Sequence, residues 1–182
     1  MNRHIVRKAG LSAIGVVAFT IILSGCGNDA GQGHDHEGHT HGDSERAAVS
    51  AAMMGDYIAI QETLAADSME AVGDRARILA EEFSSAGETD AAEAAGAIAQ
   101  TDDIEEARRE FETVSIALLA RLKEHGIAEG EYHKAHCPMA FGDRGASWVQ
   151  ADTTVNNPYY GATMLRCGEI RETFASTNGH AH

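Results

Sequence analysis

Basic side chains are scarce in this chain: 14 Lys and Arg stand against 28 Asp and Glu in 182 residues, a formal net charge of −14. A surface this acidic disfavours nucleic acid and anionic lipid faces as partners and suits cations, metal ions among them. Long apolar runs are missing as well. The longest mostly apolar stretch, residues 9–23, falls short of the roughly 20 residues a membrane-crossing helix needs. Cysteine is limited to Cys26, Cys137 and Cys167. No acid stands at a recognisable spacing to orient a cysteine nucleophile at Cys137 beside His133 or His136, so an enzyme is not expected. With two prolines and one tryptophan in the whole chain, turn signals and large aromatics mark particular places.

The first such place is the N-terminus. Arg3, Arg7 and Lys8 precede the apolar stretch, and Leu23-Ser24-Gly25-Cys26 ends it in small residues and a thiol. That order predicts a secretory signal peptide over residues 1–25. Its ending resembles the lipobox of bacterial lipoproteins, which implies lipidation of Cys26 and a periplasmic, lipid-anchored protein. Gly27 in place of an aspartate implies the outer membrane. Removing residues 1–25 leaves 157 residues, enough for one domain with a core, and takes the formal charge to −17. Cys137 and Cys167 then remain as a pair, and in an oxidising compartment a pair is first suspected of being a disulfide.

Residues 26–45 read as a His-rich linker. His34, His36, His39 and His41 fall within eight residues that hold almost no apolar side chain. Such a segment is expected to be disordered, and its imidazoles form a secondary metal site without fixed geometry. The alternative is an inert polar spacer. Residues 177–182, with His180 and His182, read as a tail.

Residues 46–176 form the expected domain, and its first half has helical period. Val49, Met53, Tyr57, Ile60 and Leu64 recur on one face of a 3.6-residue repeat. Asp67 with Glu70, and Asp102 with Glu105, look like capping boxes. Val72, Ala76, Leu79 and Phe83 mark a second helix ending near Gly87. Residues 90–100 suggest a third, and Ile104 to Leu122 a fourth that stops at Gly126. The fold expected from these stripes is mainly α: an up-down bundle of about four helices with an irregular C-terminal segment packed on it. Met53 and Met54 read as core filler.

After Gly126 the texture changes. Residues 128–174 carry the only Trp, three of the four Tyr and both remaining cysteines, with turn punctuation in Asn156-Asn157-Pro158-Tyr159-Tyr160-Gly161. Ser147 to Gln150 suggests a short extended segment. Soft sulfur ligands cluster here: Cys137 with Met139, and Met164 with Cys167. Thiolates and thioethers prefer monovalent copper to hard ions. Cys137, Met139, Met164 and Cys167, with His133 or His136 as further ligands, are therefore the candidate Cu(I) or silver site.

The runs His136-Cys137-Pro138-Met139-Ala140, Gly145 to Gln150, and Asn157 to Gly168 resemble an uncharacterised bacterial periplasmic domain family. It is found alone or fused to the periplasmic adaptor subunits of RND-type copper and silver efflux pumps. The resemblance covers residues 47–174, including the positions of Asp67, Arg109 and Phe111, and the His-rich linker is additional to it. It implies export and a metal-efflux context, with an efflux adaptor as a partner, and it supplies no activity. Two readings follow. In one, the domain buffers or delivers Cu(I) or Ag(I). In the other, it is a non-enzymatic interaction domain docking on an efflux adaptor, and Cys137–Cys167 is a structural disulfide. Closing that loop would stabilise the fold by roughly 3.5 kcal/mol on the chain-entropy view.

Overall fold

Ser50 begins the first helix by turning its hydroxyl onto the Met53 amide at 3.1 Å, the usual means of satisfying an orphan donor at a helix start. The computed structural model describes residues 48–176. In chain order it contains α1 (Ala51–Ala65), α2 (Val72–Ser85), α3 (Thr89–Ile98), α4 (Ile104–His125), β1 (Glu131–Cys137), a one-turn α5 (Ala140–Asp143), β2 (Ala146–Gln150), a 3₁₀ turn (Gly161–Thr163) and β3 (Glu169–Ala175). No helix among the described residues is long and apolar enough to cross a membrane. The leader with Cys26, the histidine tract and the tail lie outside the described residues.

The helical stripes are buried together. Val49, Met53, Tyr57, Ile60, Leu64, Val72, Ala76, Leu79, Phe83, Ala107, Phe111, Val114, Leu118 and Leu122 share one core, with Met54 beside them. Gly126 ends α4 at a φ of 71°, a conformation glycine adopts without a Cβ penalty. Val49 pairs with Ile127 in an isolated parallel bridge, tying the entry of α1 to the exit of α4.

Two caps differ from the sequence expectation. Asp67 caps nothing: its φ is 55° and its carboxylate accepts from the Arg108 guanidinium at 2.6 Å and the Ala162 amide at 2.8 Å. A tertiary partner has taken the side chain that would have served the local turn. At α4 the cap is Asp103 rather than Asp102, accepting from the Glu105 and Glu106 amides at 2.8 and 3.2 Å.

The larger correction is to the fold class. The domain is mixed α/β, not a mainly α bundle. A three-stranded antiparallel sheet, in the order β2-β1-β3, follows the helices. β1 pairs with β2 through Ala135↔Trp148 and Cys137↔Ala146, and with β3 through His133↔Thr173, with a bulge after Lys134. The expected extended segment at Ser147 is β2. The other two strands escape a reading by apolar alternation for a physical reason. The buried face of β1 carries His133, Ala135 and Cys137, none of them a large hydrophobe. β3 has no fully buried residue.

The sheet packs on the helices through β2, which adjoins both α4 and α1. Tyr57, fully buried in α1, accepts from the Val149 amide at 3.1 Å and shares a 2.6 Å hydrogen bond with Ser115 of α4. Burial pushes its phenol pKa well up, with the Ser115 and Val149 bonds opposing. That hydroxyl therefore stays protonated and joins three elements.

Candidate functional site

Residues 151–168 are a long connection without a regular strand, and such segments are ordered only when something ties them down. Here the ties are specific. Gln150, buried, donates to the Thr154 carbonyl at 2.9 Å and accepts from the Asn156 amide at 3.1 Å and from the Trp148 indole at 3.0 Å. Gln61 of α1 donates to the Asn156 carbonyl at 2.7 Å. Tyr159 is buried edge-on against Trp148, with ring centroids 5.7 Å apart, and its hydroxyl donates to the Ser147 carbonyl. The loop thus fills the space between sheet and helices.

Arg108 is the strongest of these ties. It is 5% exposed. Its Nε donates to Pro158 O at 2.9 Å, and its Nη2 donates to Leu64 O at 2.9 Å and to Asp67 at 2.6 Å. The Ala162 amide and then the Arg108 guanidinium hold the Asp67 carboxyl below the usual carboxylate range. Gly161 sits against this pair with a φ of 53°, and a Cβ there would overlap Asp67 and Arg108. Arg108 was missed by the sequence reading, which singled out Arg109. Its place beside Ala107, between Ile104 and Phe111 on the buried stripe, was the available signal.

The outcome of this tethering is the sulfur site. Cys137 ends β1, fully buried. Cys167 lies 30 residues away, half-buried, just before β3. Their sulfurs are 2.9 Å apart, and both are free thiols. The adjoining Cys137 thiol, together with burial, pushes the Cys167 pKa up to about 11. Cys167 therefore holds its proton at neutral pH unless a metal displaces it.

The methionines lie close by in the chain. Met164 and Cys167 flank one turn, closed by the Cys167 amide donating to Met164 O at 2.9 Å. Met139, two residues beyond Cys137, is 45% exposed, and its carbonyl accepts from the Tyr160 hydroxyl at 2.6 Å. Burial first, and the nearby Cys137 and Asp143, raise the Tyr160 pKa.

The histidines are not brought to the sulfurs. Successive strand residues face opposite sides, so His136 lies on the face opposite Cys137. It shares a 3.0 Å hydrogen bond with Ser147 and lines a groove with Ile116, Leu119 and Lys134. Burial, then Arg171 and Lys134, lower its pKa. His133 shares the face of Cys137 but is four residues back, roughly 13 Å along the strand, and its Nδ1 is engaged with Thr173 at 3.0 Å. Among the described residues no group of three or more His, Cys, Asp or Glu side chains is placed to hold a metal ion. What the arrangement offers is a two-thiol site with thioethers in the flanking turns. Two metal–thiolate bonds of about 2.3 Å would set the sulfurs roughly 3.8 to 4.6 Å apart for angles from tetrahedral to linear, wider than their present 2.9 Å.

No protein family, no curated protein and no solved structure matches the chain.

Proposed function

We propose that this is a lipid-anchored periplasmic protein that binds a soft monovalent metal ion, Cu(I) or Ag(I), at Cys137 and Cys167, and buffers or delivers it in connection with metal efflux. The observation that carries the reading is the 2.9 Å approach of two sulfurs from distant parts of the chain, with Met139 and Met164 in the adjoining turns. Thiolate and thioether donors select Cu(I) over hard ions. Binding at a thiol releases its proton, and Cys167 gives up its own only to a competing cation or strong base. Met139, exposed at the surface, is the natural first contact for an arriving ion. The histidine tract at His34 to His41 would collect divalent ions near the anchor, and an RND-type efflux adaptor is the proposed recipient.

A competition titration of the reduced chain against a Cu(I) chelator tests the site. Tight binding of one ion should disappear in Cys137→Ser and Cys167→Ser, and retention in both variants would refute it. The anchor is tested separately by the mass of the mature protein, which should carry lipid at Cys26; a soluble, lipid-free product would exclude it.

One observation favours the alternative, an adaptor-docking domain with a structural Cys137–Cys167 disulfide: Cys137 is fully buried, as a structural half-cystine commonly is. The same titration separates the two, because a purely structural pair gives no Cu(I) affinity that depends on both thiols.

A further inference from the structure

We infer that Asn157 is the positioning residue for Cys167, setting the spacing of the two sulfurs from inside the loop. The inference rests on reading Cys137 and Cys167 as the working pair, but it concerns their geometry rather than the metal.

Asn157 is fully buried, and each of its polar atoms has a partner within the loop, two of them at the Cys167 turn. Its Nδ2 donates to Cys167 O at 2.9 Å, and its Oδ1 accepts from the Tyr159 amide at 2.9 Å. Its own amide donates to Leu165 O at 2.9 Å, and its carbonyl accepts from the Gly161 amide at 3.1 Å. A buried side-chain amide with both its nitrogen and its oxygen bonded favours one arrangement, because a shift leaves a donor or acceptor unpaired. The Cys167 amide is held by Met164 O, so both backbone groups of Cys167 are fixed from within the loop. The residue after it adds a third restraint. Gly168 has a φ of 136°, and a Cβ there would come 2.8 Å from His136 O, so the chain passes β1 too closely for any larger residue. Cys137 is fixed independently by its pairing with Ala146. Of the two halves of the site, only Cys167 depends on a loop for its position, and Asn157 is the side chain that grips it.

The spacing can be read through the reaction of the two thiols with glutathione disulfide. The Cys167 sulfur, deprotonated, attacks one glutathione sulfur, and the first glutathione thiolate leaves and takes up the proton. The Cys137 sulfur then attacks the Cys167 sulfur of the mixed disulfide. The second glutathione thiolate departs and takes the Cys137 proton. Two protein thiols and one glutathione disulfide become one protein disulfide and two glutathione thiols. The equilibrium constant measures how well the fold presents one sulfur to the other.

The experiment equilibrates the full-length chain in glutathione buffers and quantifies the Cys137–Cys167 disulfide by peptide mapping. Asn157→Ala removes both side-chain bonds. Asn157→Asp keeps the acceptor for Tyr159 but loses the donor and sets a carboxylate against Cys167 O. Asn156→Ala is the control: its side chain bonds Asp152 and Arg166 in the same loop and does not touch Cys167. Both Asn157 variants should shift the equilibrium toward the dithiol at least tenfold, and Asn156→Ala less than twofold, with circular dichroism confirming that all are folded. A folded Asn157 variant within twofold of the wild type would overturn the inference. So would an equal shift in Asn156→Ala, or failure of both Asn157 variants to fold, which would make Asn157 a folding residue. If the wild type binds no Cu(I) while the Asn157 shift is seen, the metal reading fails and the positioning role stands.

Discussion

The Nε of Arg108 donates to the carbonyl oxygen of Pro158 at 2.9 Å, across fifty residues of chain. Through this bond α4 holds the turn that leads, by way of Asn157, to Cys167. Arg108→Met should therefore destabilise the domain by roughly 3 kcal/mol, because it leaves Pro158 O and Leu64 O without their buried donor. Urea unfolding checks this, and a loss below about 1 kcal/mol would mean that water replaces the guanidinium at little cost.

Two glycines with positive φ should respond differently. At Gly161 an added methyl meets Asp67 and Arg108, whereas at Gly126 it meets nothing within 4 Å. Gly161→Ala is expected to cost about 2–3 kcal/mol, combining strain with overpacking. Gly126→Ala should cost only about 1 kcal/mol, the backbone strain alone. Thermal unfolding of the pair measures the difference; equal losses would show that the Asp67–Arg108 contact yields freely.

Met139→Leu and Met164→Leu replace a thioether by hydrocarbon at similar volume. Each should weaken Cu(I) binding at least tenfold while costing the fold less than about 1.5 kcal/mol. Zinc, which prefers nitrogen and thiolate donors, should be affected much less. Unchanged Cu(I) affinity in both variants would reduce the site to its two thiols.

The Cys167 proton gives the site a pH dependence of definite sign. Its pKa is raised from 9.0 to about 11 by the Cys137 sulfur and burial, so the neutral thiol is the form the folded state favours. The stability this contributes is fully present below pH 9 and is lost as pH rises through about 11. Metal binding runs the other way, since the ion must displace that proton. Between pH 7 and 9 the apparent Cu(I) affinity should rise about tenfold per pH unit from this thiol alone. A competition titration at two pH values checks this, and an affinity independent of pH would exclude Cys167 as a ligand.

The helical half was legible because its core positions are large and apolar at regular spacing: Tyr57, Ile60, Leu64, Leu79, Phe83, Phe111 and Leu118 are all buried as the period predicts. The sheet was not, because β1 buries a histidine, an alanine and a cysteine, and β3 buries nothing fully. Strand pairing there is held by backbone bonds and by a loop whose anchors, Arg108, Gln150 and Asn157, are polar. A buried polar anchor looks in sequence like an exposed one until its partners are known. For the site, soft-ligand chemistry pointed to Cys137 and Cys167, which are brought into contact. Helical or loop spacing could not reveal that His136 faces away from Cys137, since that follows from strand alternation.

The most direct test of the account is X-ray absorption at the metal edge of the reduced chain carrying one equivalent of Cu(I). The geometry predicts a first shell made of sulfur, without the multiple scattering of histidine rings, and loss of that shell in Cys167→Ser. An imidazole-containing shell, or a sulfur shell that survives the substitution, would contradict it.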